Sequence, residues 1–165
     1  MTESIATLSL SKTLPKGTDA VVVGLATINK DETAVVGVLP ELDKAYTKAY
    51  GRGVAALAAA LDAKPSAEAV TALPEADGLR VVLVGLEDAD VTPDLLRRAT
   101  GAALRWLTAQ PGATGLKVAV SLEASDPELV QAAGEGSLLG AYRIPKLSKD
   151  PSAPAVDTVT LVTAA

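Results

Sequence analysis

The stretch from Gly78 to Gln110, GLRVVLVGLEDADVTPDLLRRATGAALRWLTAQ, constrains the fold more than any other part of the chain. Arg80 is followed by the apolar run Val81, Val82, Leu83 and Val84, which Gly85 is expected to end. A short β-branched run between glycines suits a strand covered on both faces. A helix then opens. Thr92 can cap it, Pro93 fits its first position, and Asp94 suits the positive end of its dipole. Leu96, Ala99, Ala103 and Leu107 recur at helical spacing as one apolar stripe, with Leu95 and Trp106 beside it and Arg97, Arg98 and Arg105 off it. Burying the four larger apolar side chains contributes about 1.5–3 kcal/mol each. The helix must return over the sheet, so this βα unit implies a parallel partner strand.

Around this unit the other elements fall into order. Ser4 to Ser11 reads as a first strand carrying Ile5, Leu8 and Leu10, and Leu14 to Thr18 as a turn. Asp19 to Leu25 reads as a second buried strand. The polar turn Asn29 to Glu32 leads into a short returning strand, Thr33 to Leu39, making a hairpin. Pro40 starts an alanine-rich helix running to Tyr50. Gly51-Arg52-Gly53 interrupts it, and Val54 to Ala63 resumes it until Pro65. Glu68 to Leu73 can form a strand and Pro74 to Gly78 a turn. Gly115 to Leu122 is the strand after the central helix. Ser125 with Glu128 is read as a capping box opening a second helix, with Pro127 in its first turn and Val130, Ala133, Ser137, Leu138 and Ala141 on its inner face. Gly134, Gly136 and Gly140 sit inside that helix, each costing about 1 kcal/mol in propensity, and are explained by close approach to a neighbouring helix or sheet. Arg143 to Pro154 is a basic, proline-containing connection to a last alternating strand, Val156 to Thr163. The expected architecture over residues 1–165 is one α/β domain, three-layer α/β/α, with a mixed sheet of about six strands.

Composition narrows the chemistry. The 165 residues are 48% hydrophobic but only 2% aromatic, so the core must be built from Val, Leu and Ala. No run reaches the ~20 apolar residues of a membrane span. The opening MTESIATLSLSK lacks a basic leader and a continuous apolar run, and is not expected to act as a signal peptide. The chain contains no Cys and no His. That removes disulfides, thiolate sites, the commonest metal ligand and every triad built on histidine. A net charge of −5 gives no general attraction for nucleic acid.

Four clusters are candidate sites. Gly134, Gly136 and Gly140 are spaced GxGxxxG inside a helix, whereas a dinucleotide loop is GxGxxG between strand and helix, which favours packing. Gly51-Arg52-Gly53 precedes a helix and could expose N–H groups to an anion, but reads first as a break between helices. Glu87, Asp88 and Asp90 crowd the loop after the central strand, where α/β sheets place ligands, yet one local cluster supplies few ligands for a cation. Asp62, Glu68 and Glu75 carry no pattern. Lys44, Lys48 and Arg52 share a helix face and, with Arg97, Arg98, Lys146 and Lys149, could make basic patches, without the aromatic interleaving of nucleic-acid readers.

Two segments carry a resemblance to a family. Gly78 to Leu86 followed by the helix from Thr92 to Leu107, with Arg97, Arg98, Ala99, Gly101 and Ala102, is similar to the N-terminal domain of leucyl aminopeptidases, the dimetal M17 type. Ala133 to Arg143, AGEGSLLGAYR, is similar to that domain's last helix. After Arg143 the chain departs from the pattern, reading Ile144-Pro-Lys-Leu-Ser-Lys149 where the family has an aromatic residue and a Tyr-Lys pair. The resemblance implies a macro-domain-like fold and a non-catalytic role, with catalysis and two divalent ions, Zn or Mn, in a C-terminal domain whose Asn-Thr-Asp-Ala-Glu-Gly-Arg signature is absent here. It further implies a cytoplasmic homo-hexamer in which this domain contacts its own catalytic domain and neighbouring subunits. No catalytic, cofactor-binding or metal-binding residue is carried over. A free-standing macro-like module binding ADP-ribose through Gly51 to Ala55, and a DNA-binding accessory module, are the alternatives. On the packing of the central helix, Leu96→Asp is expected to be among the most damaging single changes, and an undiminished thermal melting temperature for that variant would refute the buried stripe.

Overall fold

The computed structural model describes residues 6–30, 32–124, 126–142 and 155–163. Seven strands form one mixed sheet: β1 (Thr7–Ser11), β2 (Ala20–Asn29), β3 (Glu32–Val36), β4 (Val70–Ala72), β5 (Arg80–Asp88), β6 (Leu116–Val120) and β7 (Val156–Val162). Their order is β1-β7-β6-β2-β5-β4, with β3 also paired to β2. β1, β7, β6, β2 and β5 run parallel, while β3 and β4 are antiparallel to β2 and β5. The described residues also form four helices: α1 (Pro40–Tyr50), α2 (Val54–Ala60), α3 (Pro93–Thr108) and α4 (Pro127–Ala141).

Alternation along the central strands divides the core in two. Val22, Val82, Val84, Val118, Val120 and Leu161 face the layer of α3 and α4, where they meet Leu96, Ala99, Ala103, Leu104, Leu107 and Ala133. Val21, Val23, Val81, Leu83 and Ala119 face the other way, onto Leu42, Tyr46, Val54 and Ala58 of α1 and α2. Continuous Val/Leu runs therefore become strands wetted on neither face, as the parallel arrangement requires.

β2 is twice as long as β6, and the difference is used. Its first residues, Ala20 to Val22, pair with β6, and its second half, from Gly24 on, pairs with β3 along the same side. The two short strands meet just past their ends. Ser121 Oγ donates a hydrogen bond of 2.7 Å to the Gly37 carbonyl. Gly37 has φ +88°, and a Cβ there would stand 1.9 Å from the Ser121 carbonyl oxygen, so only glycine closes this junction.

Three expectations need correction. Gly85 does not end the central strand, which runs on to Asp88. The glycine instead admits another backbone: a Cβ at Gly85 would lie 1.8 Å from the Ser66 carbonyl oxygen. Glu68 N donates to the Gly85 carbonyl, and Gly85 N donates to that of Ala69. A glycine inside a strand marked close approach rather than termination. The cap of α4 is Asp126, whose side chain accepts from Glu128 N at 2.8 Å. The helix start is therefore at Asp126 rather than at Ser125, which lies outside the described residues. The second half of the alanine-rich segment is also shorter than expected. α2 closes at Ala60, before Asp62 takes a left-handed φ of 53°, and well ahead of Pro65. The connection from Arg143 to Pro154 lies outside the described residues.

The central helix begins as its sequence indicates, with Thr92 Oγ1 accepting from Leu95 N at 3.2 Å. It packs on α4 through a seam of glycines. A Cβ at Gly136 would sit 2.1 Å from Thr100 Oγ1 and 2.2 Å from the Arg97 carbonyl oxygen, and one at Gly140 would sit 2.4 Å from the Gly101 carbonyl oxygen. Gly134 faces the sheet instead, near Leu8 and Leu161. Both forms of close approach expected of these glycines are present.

On the opposite layer, α1 is fastened by two tyrosines one turn apart. Tyr46 Oη donates to the Pro74 carbonyl at 2.8 Å and accepts from Val81 N at 2.9 Å. Tyr50 Oη donates to the Glu75 carbonyl. Both grip the hairpin that links β4 to β5. Burial pushes the Tyr46 phenol above its ordinary value of 10.0, with the hydrogen bond from Val81 opposing that shift.

Two outcomes follow from these contacts. Gly136→Ala is expected to destabilise the chain by about 3 kcal/mol, because the obstructing atoms include backbone that cannot swing aside; denaturant unfolding measures it, and a loss near zero would mean the helices separate freely. Tyr46→Phe is expected to cost about 1–3 kcal/mol by leaving buried backbone groups unpaired. With the folded-state value raised, the native state holds its proton where the unfolded state has lost it, so this contribution is complete below the ordinary tyrosine value and declines as pH rises through the raised one. Tyr46→Phe should therefore also flatten the alkaline fall in stability, which urea titrations between neutral and alkaline pH would show.

Candidate functional site

Each cluster singled out in the sequence has a definite place in the fold. Gly134, Gly136 and Gly140 lie within α4 and are consumed by packing, leaving no room for a phosphate. The Gly51-Arg52-Gly53 segment is a break between helices. Gly51 takes a left-handed φ of 71° and its N–H donates to the Thr47 carbonyl, closing α1. Gly53 then caps α2, and Val54 N donates to Asp43 Oδ1 at 2.8 Å. A carboxylate of the chain itself thus occupies the mouth of α2, the place an incoming phosphate would need, and like charge repels a phosphate there. This removes the structural basis for an ADP-ribose loop at Gly51 to Ala55.

Glu87, Asp88 and Asp90 are exposed at the carboxyl end of β5. Asp88 Oδ1 is turned back to accept from Asp90 N at 2.9 Å, the geometry of a turn rather than of a cation cage. Among the described residues no group of three His, Cys, Asp or Glu side chains could hold a metal ion. The two-metal centre implied by the resemblance therefore does not fit the side chains described here.

The basic residues separate. Lys44, Lys48 and Arg52 are exposed around α1. Arg97 and Arg98 do not form a patch with them, being tied to carboxylates. Arg98 Nε reaches Asp94 at 3.2 Å and its Nη1 reaches Glu68 at 3.6 Å. Arg97 Nε meets Glu135 Oε2 at 2.8 Å across the α3–α4 seam. Lys146 and Lys149 lie outside the described residues. Of the scattered acids, Asp62 pairs with Lys64 at 2.8 Å.

The Glu135 pairing was not visible in the sequence. Hydrogen bonds from Gln131 and from Arg97 hold its carboxyl below the usual value. The i, i+4 spacing of Gln131 and Glu135 was readable, but Arg97 is 38 residues away and only the crossing of the two helices brings it there.

The described residues also form a concavity. A trough of about 320 Å³ runs between β1 and α4, lined by Leu8, Leu10, Val130, Gly134, Leu138 and Leu161. Its lining is mostly apolar; the polar side chains along it are already engaged, Ser9 Oγ with Thr160 Oγ1 and Glu135 with Arg97 and Gln131.

Comparison with known proteins agrees with this geometry. Residues 22–151 match the family model described as the cytosol aminopeptidase family, N-terminal domain. A probable cytosol aminopeptidase of Cutibacterium acnes is 30% identical over 146 residues, covering 88% of this chain and 28% of that protein. One from Streptomyces griseus is 37% identical over 145 residues, covering 82% and 26%. The chain thus spans little more than a quarter of the length of these relatives. Among solved structures, a mutant of tomato leucine aminopeptidase aligns with 98% of this chain and 33% of its own, at a TM-score of 0.66 and 15% identity. The bottromycin maturation enzyme BotP, solved in complex with Mn, aligns with 90% of this chain and 27% of its own, at 0.53 and 22%. At these identities the likeness is one of fold. By its matched residues and its relatives, the chain belongs to the cytosol aminopeptidase family, as that family's N-terminal domain.

Proposed function

We propose that this chain is the single, non-catalytic N-terminal domain of a metal-dependent leucyl aminopeptidase, an enzyme that removes N-terminal residues from peptides. The observation that carries the reading is the coverage: nearly the whole chain aligns, but to only 26–28% of relatives that are probable aminopeptidases. The residue inventory supports it. The chain has no His and no Cys, and among the described residues Asp43, Asp88 and Glu135 are engaged in a helix start, a turn and an ion pair. In this reading two divalent ions, Zn or Mn, and the groups that activate water belong to the portion of the relatives that the chain does not span. The domain's part is to support a cytoplasmic hexamer and to shape access to its active sites. The aliphatic core and the interlocked helices suit a rigid support of that kind.

The test is direct. The purified 165-residue chain is expected to release no product from a leucine anilide, with or without added manganese or zinc. Metal-dependent turnover that rises in proportion to the concentration of the chain would overturn the assignment.

A further inference from the structure

The trough beside β1 borders a strand edge of unusual character. β1 is the terminal strand of the sheet and pairs only with β7 among the described residues. An open edge is normally protected by a charge, a proline or a bulge. β1 reads Thr-Leu-Ser-Leu-Ser and has none of these. Leu8 is 39% exposed and Leu10 63%, and both line the trough on the α4 side. Ser9 points to the opposite face, where its Oγ lies 3.1 Å from Thr160 Oγ1.

What fits such an edge is another strand, because its unpaired N–H and C=O groups repeat at strand spacing. The sequence of β1 indicates which strand. It is nearly the same read in either direction about Ser9. A two-fold axis at Ser9 would run two copies antiparallel, with Ser9 opposite Ser9, Leu8 opposite Leu10, and Thr7 opposite Ser11. The four leucines would then form one strip beneath the two α4 helices. An isologous contact demands this kind of self-complementary patch.

The available area sets the strength. The face is about 17 Å long along the five-residue strand and about 20 Å deep through one sheet layer and one helix, so two copies bury roughly 700 Å². A stable interface needs about 1,200 Å² or more. The patch is smaller than that, so association is expected only at high concentration.

We propose that two copies of this chain associate through antiparallel pairing of their β1 edges about a two-fold axis at Ser9, joining their sheets into one. The contact is independent of whether a catalytic segment follows, so its failure would leave the proposed function untouched. Sedimentation equilibrium of the 165-residue chain from about 5 µM to 1 mM is expected to show reversible dimerisation. Leu10→Lys should abolish the dimer while leaving the thermal melt near that of the parent, because the side chain is largely exposed. The chain has no cysteine, so Ser9→Cys supplies a single thiol placed opposite its own copy. Under mild oxidation it should cross-link at least tenfold faster than Ala56→Cys on the exposed face of α2. A chain that stays monomeric at 1 mM, a dimer that survives Leu10→Lys, or Ser9→Cys that cross-links no faster than the control would each overturn the proposal; the first would leave the edge to a strand from elsewhere in a longer protein.

Discussion

The structure depends on the burial of β2 and β5 on both faces. Ala20 to Ala26 and Val81 to Leu86 expose almost nothing to solvent, and nearly every side chain in them is aliphatic. A strand of that kind leaves the chain no choice about layers. One helical layer can satisfy only alternate residues, so a second must cover the rest. The pairs Val21/Val22 and Val81/Val82 illustrate this, each sending one valine into the α1–α2 core and the next into the α3–α4 core.

The two layers meet this demand by different means. On one side α3 and α4 are pressed together until backbone touches backbone, and the cost of three glycines in a helix is offset by the contact they allow. Propensity lost at Gly136 and Gly140 is local, whereas the packing gained by Thr100, Gly101 and Leu104 is shared by the whole layer. On the other side α1 and α2 are short and alanine-rich, and cannot bury as much. Directed hydrogen bonds do the fastening there: Tyr46 and Tyr50 to the β4–β5 hairpin, and Asp43 to the start of α2. Asp43 serves as a fold element at a helix end where a phosphate would otherwise need unpaired N–H groups.

Much of this was legible in the sequence, for identifiable reasons. Thr92-Pro93-Asp94 and the Leu96–Ala99–Ala103–Leu107 spacing encode α3 within one segment, and local patterns need no tertiary knowledge. The same holds for the hairpin of β2 and β3 and for the break at Gly51 to Gly53. What escaped was non-local. Gly85 looked like a terminator because a glycine reports only that a side chain is missing, and the Ser66 backbone that needs the space is 19 residues away. Arg97 looked like a solvated cation because Glu135 joins it only when α3 and α4 cross. The acid cluster after β5 occupied the right end of the sheet for a ligand, yet whether three carboxylates converge depends on side-chain directions that the order of residues does not carry.

Among the described residues, several carboxylates and glycines are taken up by the fold itself. In an α/β sheet, ligands gather at the carboxyl ends of the strands, where helix N-termini and loop glycines offer unpaired N–H groups. Here three of the four described helices have a side chain of the chain at that end, and α1 does not. The N-terminus of α3 is filled by Thr92, that of α2 by Asp43, and that of α4 by Asp126. Gly37, at the junction of β3 and β6, is closed against Ser121. A fold that spends its donors internally gains rigidity and forgoes binding at the place where its architecture would otherwise offer it. What it leaves unspent is an uncharged strand edge and the apolar trough beside it, and features of that kind recognise other protein surfaces rather than small molecules.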